Sequence, residues 1–532
     1  MAETGSTGTT AGTGADRRLG LLLAMAMFVL VVDTSLMNVS IASVVEDLDT
    51  TVSGVQSAIA LEALVSAAFI LIGSKVGDLI GRRRAYVLGL LGYAVGAVAM
   101  TLAQDLTGII VFWAIIGGLG ASLLLPAMQA LIHGNFVGPA QRKVYALVGA
   151  SAAIAAAVGP LLGGFITTYL SWRLAFLLEA VVIAVVLSGI RLVQDAPYTG
   201  SRTVDWVGAV LSVLGMGGIV LGILAWQEGA ESVGALLVVG AAGMAAFIAW
   251  LVRRKRSGRA TLIDPDLFDS AAFRLGISQQ LLQQIALGGA MIALPIYLQM
   301  VLEYSAMGAG LSLAPLSLSM FAVALLAGRL AGERRPSGIV RVGFALLVAG
   351  MVLLLPVVPR ADSGWALVLP LVVAGSGLGL LVSQLNNYTL SPIAEERVSE
   401  AAGVNSAAGS FGLSFGLALA GATMLGTLSF LFTDMAQDSA VLAPEQKDRV
   451  AEVLEDDAEV LSTTQLEELL VGQPAAVRDE IVDINTDARP RALQVALLVP
   501  IVAGLLGLAN SFRMARLPDR GPSGASEGMV LA

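Results

Sequence analysis

The sequence predicts an all-α polytopic membrane protein. Of its 532 residues, 56% are hydrophobic and only 13% are charged, whereas soluble domains contain roughly 25% charged residues. The apolar residues form long runs, and a helix needs about 20 such residues to cross the hydrocarbon core of a bilayer. Only helices and closed barrels satisfy the backbone in lipid, and unbroken apolar runs of this length exclude a barrel.

Hydropathy predicts fourteen spanning helices. Residues 1–16 are rich in Gly, Thr and Ala and lack the basic start and cleavage site of a signal peptide, so we expect a disordered tail. The predicted spans are approximately 19–44, 53–74, 85–103, 107–132, 143–169, 174–194, 206–226, 233–252, 273–302, 306–329, 338–358, 364–390, 400–432 and 490–514.

Lysine and arginine are distributed unevenly between the two sides of these spans. The side that carries both termini has 24 of the 31 basic residues, and the other side has the remaining 7. The positive-inside rule therefore predicts cytoplasmic N- and C-termini. We expect a multi-pass protein of the cell membrane, plasma or inner.

One sizeable polar segment, the acidic loop (433–489), is predicted to lie outside. It holds 15 acidic against 4 basic residues, and its apolar residues recur at helical spacing, which predicts two or three short amphipathic helices. A solvated cap is one interpretation, and a surface that collects cations or binds a partner is the other. The residues that carry the spacing are Val450, Val453, Leu454, Leu461, Val477, Ile481 and Ile484, with Thr464 and Glu467 as a capping box.

The chemistry available to this chain is limited. It has no cysteine and one histidine, which leaves no thiol metal site and only carboxylates for an enzyme site. It also lacks a G-x-x-x-x-G-K-[ST] loop for ATP. We therefore predict no catalytic residues, no metal or other cofactor and no nucleic-acid partner, and any energy for transport must come from a gradient.

Two acidic residues inside predicted spans are the strongest functional signals. Asp33 and Glu62 each interrupt an apolar run, and an ionised group at mid-bilayer costs about 2.5–3.5 kcal/mol on insertion scales. Each carboxyl should therefore face a wet cavity or bind a proton, unless it only bonds a neighbouring helix. Glu179 and Glu303, nearer to span ends, are interpreted as interfacial.

Amide side chains form a second set of candidates. They can line a central cavity, or equally bond one helix to another. The candidates are Gln283, Gln284, Gln299, Gln384, Asn387 and Asn405.

Two glycine-containing segments suggest conformational change. The segment from Gly73 to Arg84, with the sequence GSKVGDLIGRRR, is a charged loop between apolar runs. Asp78 can pair with the arginines of this loop to form a gate. Alternatively, the charges only set the orientation of the chain in the membrane. In the fifth span, Ser151, Ala155, Gly159 and Gly163 recur every four residues around Pro160, and this predicts close approach of another helix. Gly412, Gly416 and Ala420 form a comparable ridge in the thirteenth span.

These motifs together resemble the fourteen-helix drug:proton antiporters of the major facilitator superfamily. The loop matches through Asp78, Gly81, Arg82 and Arg83, the first span through Asp33, Thr34 and Asn38, and the fifth through Gly159, Pro160, Gly163 and Gly164. The resemblance implies two six-helix bundles, 17–194 and 273–514, around two inserted helices at 206–252, with a cytoplasmic tail at 515–532. It also implies a proton gradient as the energy source, with Asp33 and Asn38 taking part in the coupling.

The resemblance has two gaps. Where the family's fourth span usually carries an Arg and a Gln, this chain has Ala114 and Gly117. Glu62 stands where a Tyr is common, so no family role applies to it. The usual proton relay therefore cannot be transferred, and Glu62 working with Asp33 is the next candidate.

The sequence favours a secondary transporter that exports amphiphilic or cationic small molecules in exchange for protons, by alternating access, as a monomer in the lipid bilayer. An exporter of lipid or fatty-acid-like compounds with weak or no proton coupling is the main alternative. Uptake by symport is a further one. A transport-incompetent sensor or scaffold with the same fold is the alternative of another class.

Overall fold

The structure is a computed structural model, and it describes residues 14–136, 138–195, 203–227, 230, 232–330, 335–361, 363–393, 397–443, 447, 466–467 and 470–517. Most of the predicted N-terminal tail, the middle of the acidic loop, and the end of the C-terminal tail lie outside these ranges. The predicted loop positions Val450, Val453, Leu454, Leu461 and Thr464 are among the residues outside them.

The described residues form fourteen helices that are long and apolar enough to cross a membrane, which confirms the predicted all-α fold. They are α1 (Asp16–Leu48), α2 (Val52–Ile80), α3 (Arg82–Leu102), α4 (Leu106–Ile132), α5 (Lys143–Tyr169), α6 (Trp172–Leu192), α7 (Trp206–Trp226), α8 (Val233–Arg256), α9 (Ala271–Val301), α10 (Ala306–Ala327), α11 (Pro336–Arg360), α12 (Gly364–Leu390), α13 (Glu400–Asp438) and α14 (Ala475–Met514).

The acidic loop is shorter than predicted, because both flanking helices extend into it. Helix α13 continues to Asp438, and the segment that contains Val477, Ile481 and Ile484 is the start of α14 rather than a separate loop helix. The charges in this first part of α14 lower its hydropathy, so the apolar run begins later than the helix. Ile481 and Ile484 are buried, and this packing stabilises the extension.

The two halves of the chain have the same packing pattern. In the first half, α1 packs on α5 and α6, α3 on α4 and α6, and α2 on α4; in the second, α9 packs on α13 and α14, α11 on α12 and α14, and α10 on α12. Adding eight to each helix number in the first set gives the second set. The halves meet where α2 packs on α13 and where α5 packs on α10. These two contacts are equivalent, because α10 is the counterpart of α2 and α13 is the counterpart of α5.

Helices α7 and α8 form a hairpin outside these two bundles. They pack on each other, and α7 also contacts α2 and α13, one helix from each half. The described helices therefore form two six-helix bundles with two inserted helices. The orientation of the termini and the domain boundaries remain predictions.

A short segment, the connector (257–270), links α8 to α9 at the end predicted to be cytoplasmic. Its Leu262 and Ile263 are buried in one apolar cluster with Leu71 of α2 and Val404 of α13. The connector thus contacts both halves of the protein.

Asp264 is the ionic centre of the connector. Its carboxylate lies 2.8 Å from Lys255 Nζ and 3.0 Å from an Arg397 guanidinium nitrogen. Partial burial alone would raise the pKa of Asp264, but the hydrogen bonds from Lys255 and the Asp266 N–H and the nearby Arg397 hold it below its usual range. Asp264 is therefore charged at neutral pH.

Candidate functional site

Asp33 is enclosed within the first bundle. It lies on α1 with a relative exposure of 1%. The Tyr93 hydroxyl of α3 donates a hydrogen bond to one carboxylate oxygen, and Trp113 Nε1 of α4 lies 3.0 and 3.1 Å from the two oxygens. Neutral donors thus bind a group that is expensive to bury as a charge.

Sequence reasoning missed both of these aromatic residues. Trp113 lies in a π-helical stretch of α4, Ile109–Gly117, and π-helical turns often occur at functional sites. This stretch also contains Ala114 and Gly117, the two positions at which the sequence departs from the family pattern that it resembles. Trp113, the neighbour of Ala114, contacts Asp33 from this stretch. An aromatic residue with a polar atom inside a span was the available signal.

Aromatic rings continue from Trp113 toward the predicted outer end of the bundle. Phe176 makes edge contacts with Trp113 at 6.3 Å and with Trp172 at 6.1 Å between ring centroids. Trp172 Nε1 donates to Asp47 at 2.9 Å, and Asp47 also forms an ion pair with Arg173. This network joins α1 to α6 at the predicted outer end of the first bundle.

Glu62 lies on α2 near Asp33. It is buried, with 8% exposure, and its carboxyl is close enough to Asp33 for the two charges to repel. Two residues before Glu62, the Ala60 carbonyl accepts a hydrogen bond from Ser414 Oγ of α13 at 2.6 Å, so this part of α2 contacts the second bundle. The two predicted acids therefore lie in one region, with Glu62 on the helix nearer to the interface between the bundles.

Glu179 corrects a prediction, because it is not interfacial. Its relative exposure is 4%, and neither carboxyl oxygen has a hydrogen-bond partner. It lies close enough to Asp33 and Tyr93 for electrostatic interaction. The prediction failed because distance along α6 from its end does not show which face of the helix points into the bundle. Glu303 is exposed just beyond the end of α9, and its interfacial position remains a prediction.

The amide candidates belong mainly to the second bundle, in helices α9, α12 and α13. Asn405 Nδ2 donates to Asn386 Oδ1 at 2.6 Å, joining α13 to α12. Buried polar atoms in proteins are nearly always hydrogen-bonded, yet several amide oxygens here have no donor. These are the oxygens of Gln283, Gln284, Gln384, Asn387 and Asn405.

Two other candidate amides lie apart from this group. Gln299 Oε1 accepts from the Ala42 N–H of α1 at 3.4 Å, so Gln299 bridges the bundles near their predicted outer ends. Asn38 is buried on α1, and its oxygen has no partner. The structure places the acids in the first bundle and most amides in the second; their convergence on one substrate remains a prediction.

The predicted gating loop is the turn between α2 and α3. Asp78 and Arg82 form an ion pair at 3.3 Å, and Asp195 accepts from the Arg83 N–H at 3.1 Å. Gly81 has φ +100°, a conformation that favours glycine. Asp78 and Arg82 also line a cavity of about 190 Å³ whose opposite wall includes Glu400 of α13 and Leu262 of the connector.

The antiporter motif lies between two neighbouring helices. A methyl group added at Gly163 would lie 2.8 Å from side-chain atoms of Leu36 and Val39 of α1, and one at Gly164 would lie 2.8 Å from Met307 Cα of α10. A methyl group added at Gly310 of α10 would overlap the Pro160 carbonyl oxygen. The small residues thus allow α5 to approach both α1 and the opposite bundle, as the spacing predicted.

Two matching helical bundles with buried acids define a multi-pass membrane transporter rather than an enzyme. The chain belongs to the Major Facilitator Superfamily, whose family model matches residues 23–417.

Similar curated proteins include a probable actinorhodin transporter of Streptomyces coelicolor, 26% identical over 91% of this chain and 85% of that protein. A puromycin resistance protein of Streptomyces alboniger is 30% identical over 78% and 83% of the two chains. A tetracenomycin C resistance and export protein of Streptomyces glaucescens is 26% identical over 94% and 93%.

Solved structures support the same fold. A bacterial homologue of the human lysosomal transporter Spinster, in an inward-facing conformation, aligns with a TM-score of 0.64 at 11% identity, over 96% of this chain and 99% of that one. A peptide transporter bound to sulfate aligns with a TM-score of 0.60 at 14% identity, over 96% and 97%. At such identities the likeness concerns the fold alone.

Proposed function

We propose that this protein exports amphiphilic or cationic small molecules in exchange for protons, by alternating access. The observation that carries the proposal is the environment of Asp33. Its carboxyl is buried among spanning helices and receives hydrogen bonds from the neutral donors Tyr93 and Trp113. Because Tyr93 and Trp113 are neutral, they do not cancel the charge of the Asp33 carboxylate. A proton or a cationic substrate can therefore set the net charge of the site.

Tyr93 suits a site that alternates between two protonation states. A tyrosine hydroxyl can donate or accept a hydrogen bond. When Asp33 is charged, Tyr93 donates to it, as in this structure; when Asp33 is protonated, its own O–H can donate to the Tyr93 oxygen. Both states then keep a hydrogen bond, which lowers the cost of exchanging the proton inside the membrane.

The substrate class is supported by two further observations. Buried amide oxygens without donors lie in the second bundle, and such oxygens accept hydrogen bonds from cationic and amine groups. The similar proteins are named for export of, or resistance to, antibiotics, namely actinorhodin, puromycin and tetracenomycin C. Outward transport of an organic compound is the function that joins these observations.

Alternating access is supported by the pairing of the two bundles. When each helix is replaced by its counterpart in the other half, the contact α2–α13 becomes the contact α10–α5. Rocking of two such halves about a central site is a common transport mechanism. Small residues at the α5–α10 contact permit a tight seal in one state.

The test is Asp33→Asn in cells that lack other exporters. The amide keeps the size of the side chain and its acceptor oxygen but cannot ionise, so we expect loss of proton-dependent efflux of a lipophilic cation. Asp49→Asn is the matched control, because Asp49 is exposed and has φ 49°, a conformation that Asn readily adopts. Unchanged efflux by well-expressed Asp33→Asn would overturn the proposal, and export of only lipids or anionic amphiphiles would favour the lipid-exporter alternative.

A further inference from the structure

Glu179 is a buried acid that the proposed function does not use. Both of its carboxyl oxygens are enclosed and have no hydrogen-bond partner. A carboxyl that only joined two helices would make a bond to one of them. A charged carboxylate without any donor would be strongly unfavourable in this environment, so this arrangement suits a carboxyl that carries a proton.

The groups around Glu179 point to the same role. Helix α6 packs on α1, α3 and α5. Helix α1 contributes Asp33, α3 contributes Tyr93, and the sequence of α5 has no ionisable residue between Tyr145 and Tyr169. Glu62 of α2 is the remaining ionisable group that acts on Tyr93. None of these described neighbours is basic, so a proton is the available counter-charge.

The depth of Glu179 distinguishes it from Asp33. The bond between Trp172 and Asp47 places the start of α6 level with the outer part of α1. Asp33 is fourteen residues from Asp47, and Glu179 is seven from Trp172, which correspond to about 21 and about 10 Å of helix. Glu179 is therefore nearer to the end that is predicted to face outside, and an exporter driven by protons takes them from that side.

We propose that Glu179 is a second proton-binding site, between the outer solution and Asp33, and that protons pass from it to Asp33. The proposal rests on proton-coupled export as the function. In the transfer, the Tyr93 hydroxyl gives its hydrogen to Asp33 and takes the proton of Glu179 after a rotation of the Glu179 side chain. Glu179 becomes a carboxylate, Asp33 becomes neutral, and Tyr93 is unchanged.

The first test measures protonation without transport. The infrared C=O band of protonated carboxyls is compared at neutral pH, in light and heavy water, between the purified wild type and Glu179→Gln. We expect loss of one protonated carboxyl from the spectrum. Glu46→Gln, at the exposed end of α1, should leave the band unchanged, and Glu179→Asp should retain a protonated carboxyl. An unchanged band in Glu179→Gln would overturn the proposal.

The second test measures the path. In cells or vesicles, wild-type efflux should accelerate when the outer solution is acidified, whereas efflux by Glu179→Gln should lose this dependence and Glu179→Asp should restore it. Normal acceleration in Glu179→Gln would overturn the role in the path even if the infrared band were lost. Loss of the band together with full activity of Asp33→Asn would instead refute proton-coupled export while leaving Glu179 as a proton site.

Discussion

The contact between α5 and α10 allows a sharp test of alternating access. Gly164→Ala would add a methyl group 2.8 Å from Met307 Cα and 3.0 Å from the Ala306 carbonyl carbon. Both neighbours are backbone atoms, so neither can rotate away. The predicted outer ends of α5 and α10 must therefore separate slightly to accept the methyl group.

The expected size of the effect follows from the cost of overpacking. One extra methyl group in a packed contact costs about 1–3 kcal/mol. If that cost falls only on the state in which the two helices touch, the population shifts toward the separated state by roughly 5- to 150-fold. Efflux should slow, because the protein spends less time closed to the outside and available to substrate from the cytoplasm.

The assay uses the absence of cysteine from the chain. Ala306→Cys introduces a single thiol at a buried position next to Gly164, with 6% exposure. A membrane-impermeant maleimide added outside should label it faster when Gly164→Ala is also present. Gly217→Ala is the matched control, because a methyl group there meets no heavy atom within 4 Å. Equal labelling rates for both glycine variants would refute the idea that this contact seals the outer side.

Three further predictions concern the acid site and the connector. Glu62→Gln should shift the pH dependence of efflux without abolishing transport, and an unaltered profile would assign Glu62 a structural role. Tyr93→Phe or Trp113→Phe removes one hydrogen-bond donor to the Asp33 carboxylate. Such bonds to a charged group contribute about 1.5–3 kcal/mol, and losing one favours the protonated carboxyl. The pH profile of efflux should therefore move to higher pH by about one to two units. Tyr86→Phe is the control, because its buried hydroxyl has no hydrogen-bond partner, and an equal shift there would contradict the role of Tyr93. Asp264→Asn should lower the free energy of unfolding slightly, by at most about 1 kcal/mol, because Asp264, Lys255 and Arg397 are all partly exposed to solvent. The folded-state pKa of Asp264 is lowered, so this stabilisation is present above the ordinary pKa of Asp and is lost as the pH falls through the folded value. The melting curves of the wild type and the variant should therefore converge in acid. A constant difference between the two curves would contradict the ionic role.

The helical architecture could be predicted from the sequence because hydropathy in a membrane depends on each segment alone. The fourteen spans were predicted in this way, and the close-packed face of α5 was predicted from the four-residue spacing of its small residues. The start of α14 was not, because Asp479, Asp483 and Arg489 make that part of the helix polar, and packing on neighbouring helices decides its conformation. Helix ends outside the hydrocarbon leave little trace in hydropathy.

The candidate site was only partly predictable. Asp33 and Glu62 were predicted to be special because any acid inside a span is costly. Tyr93 and Trp113 were missed because their apolar rings fit any span, and only the fold brings them to Asp33. Glu179 was misjudged for a related reason, since its importance depends on the direction in which α6 faces.

Transport by purified protein in liposomes measures the central claim most directly. With a pH gradient as the only driving force and a lipophilic cation as substrate, wild-type protein should move the cation against its own gradient as protons move down theirs. Asp33→Asn should show no gradient-driven transport of the cation. Equal proton-driven transport by the wild type and Asp33→Asn would contradict the assignment of Asp33 as the group that exchanges protons for substrate.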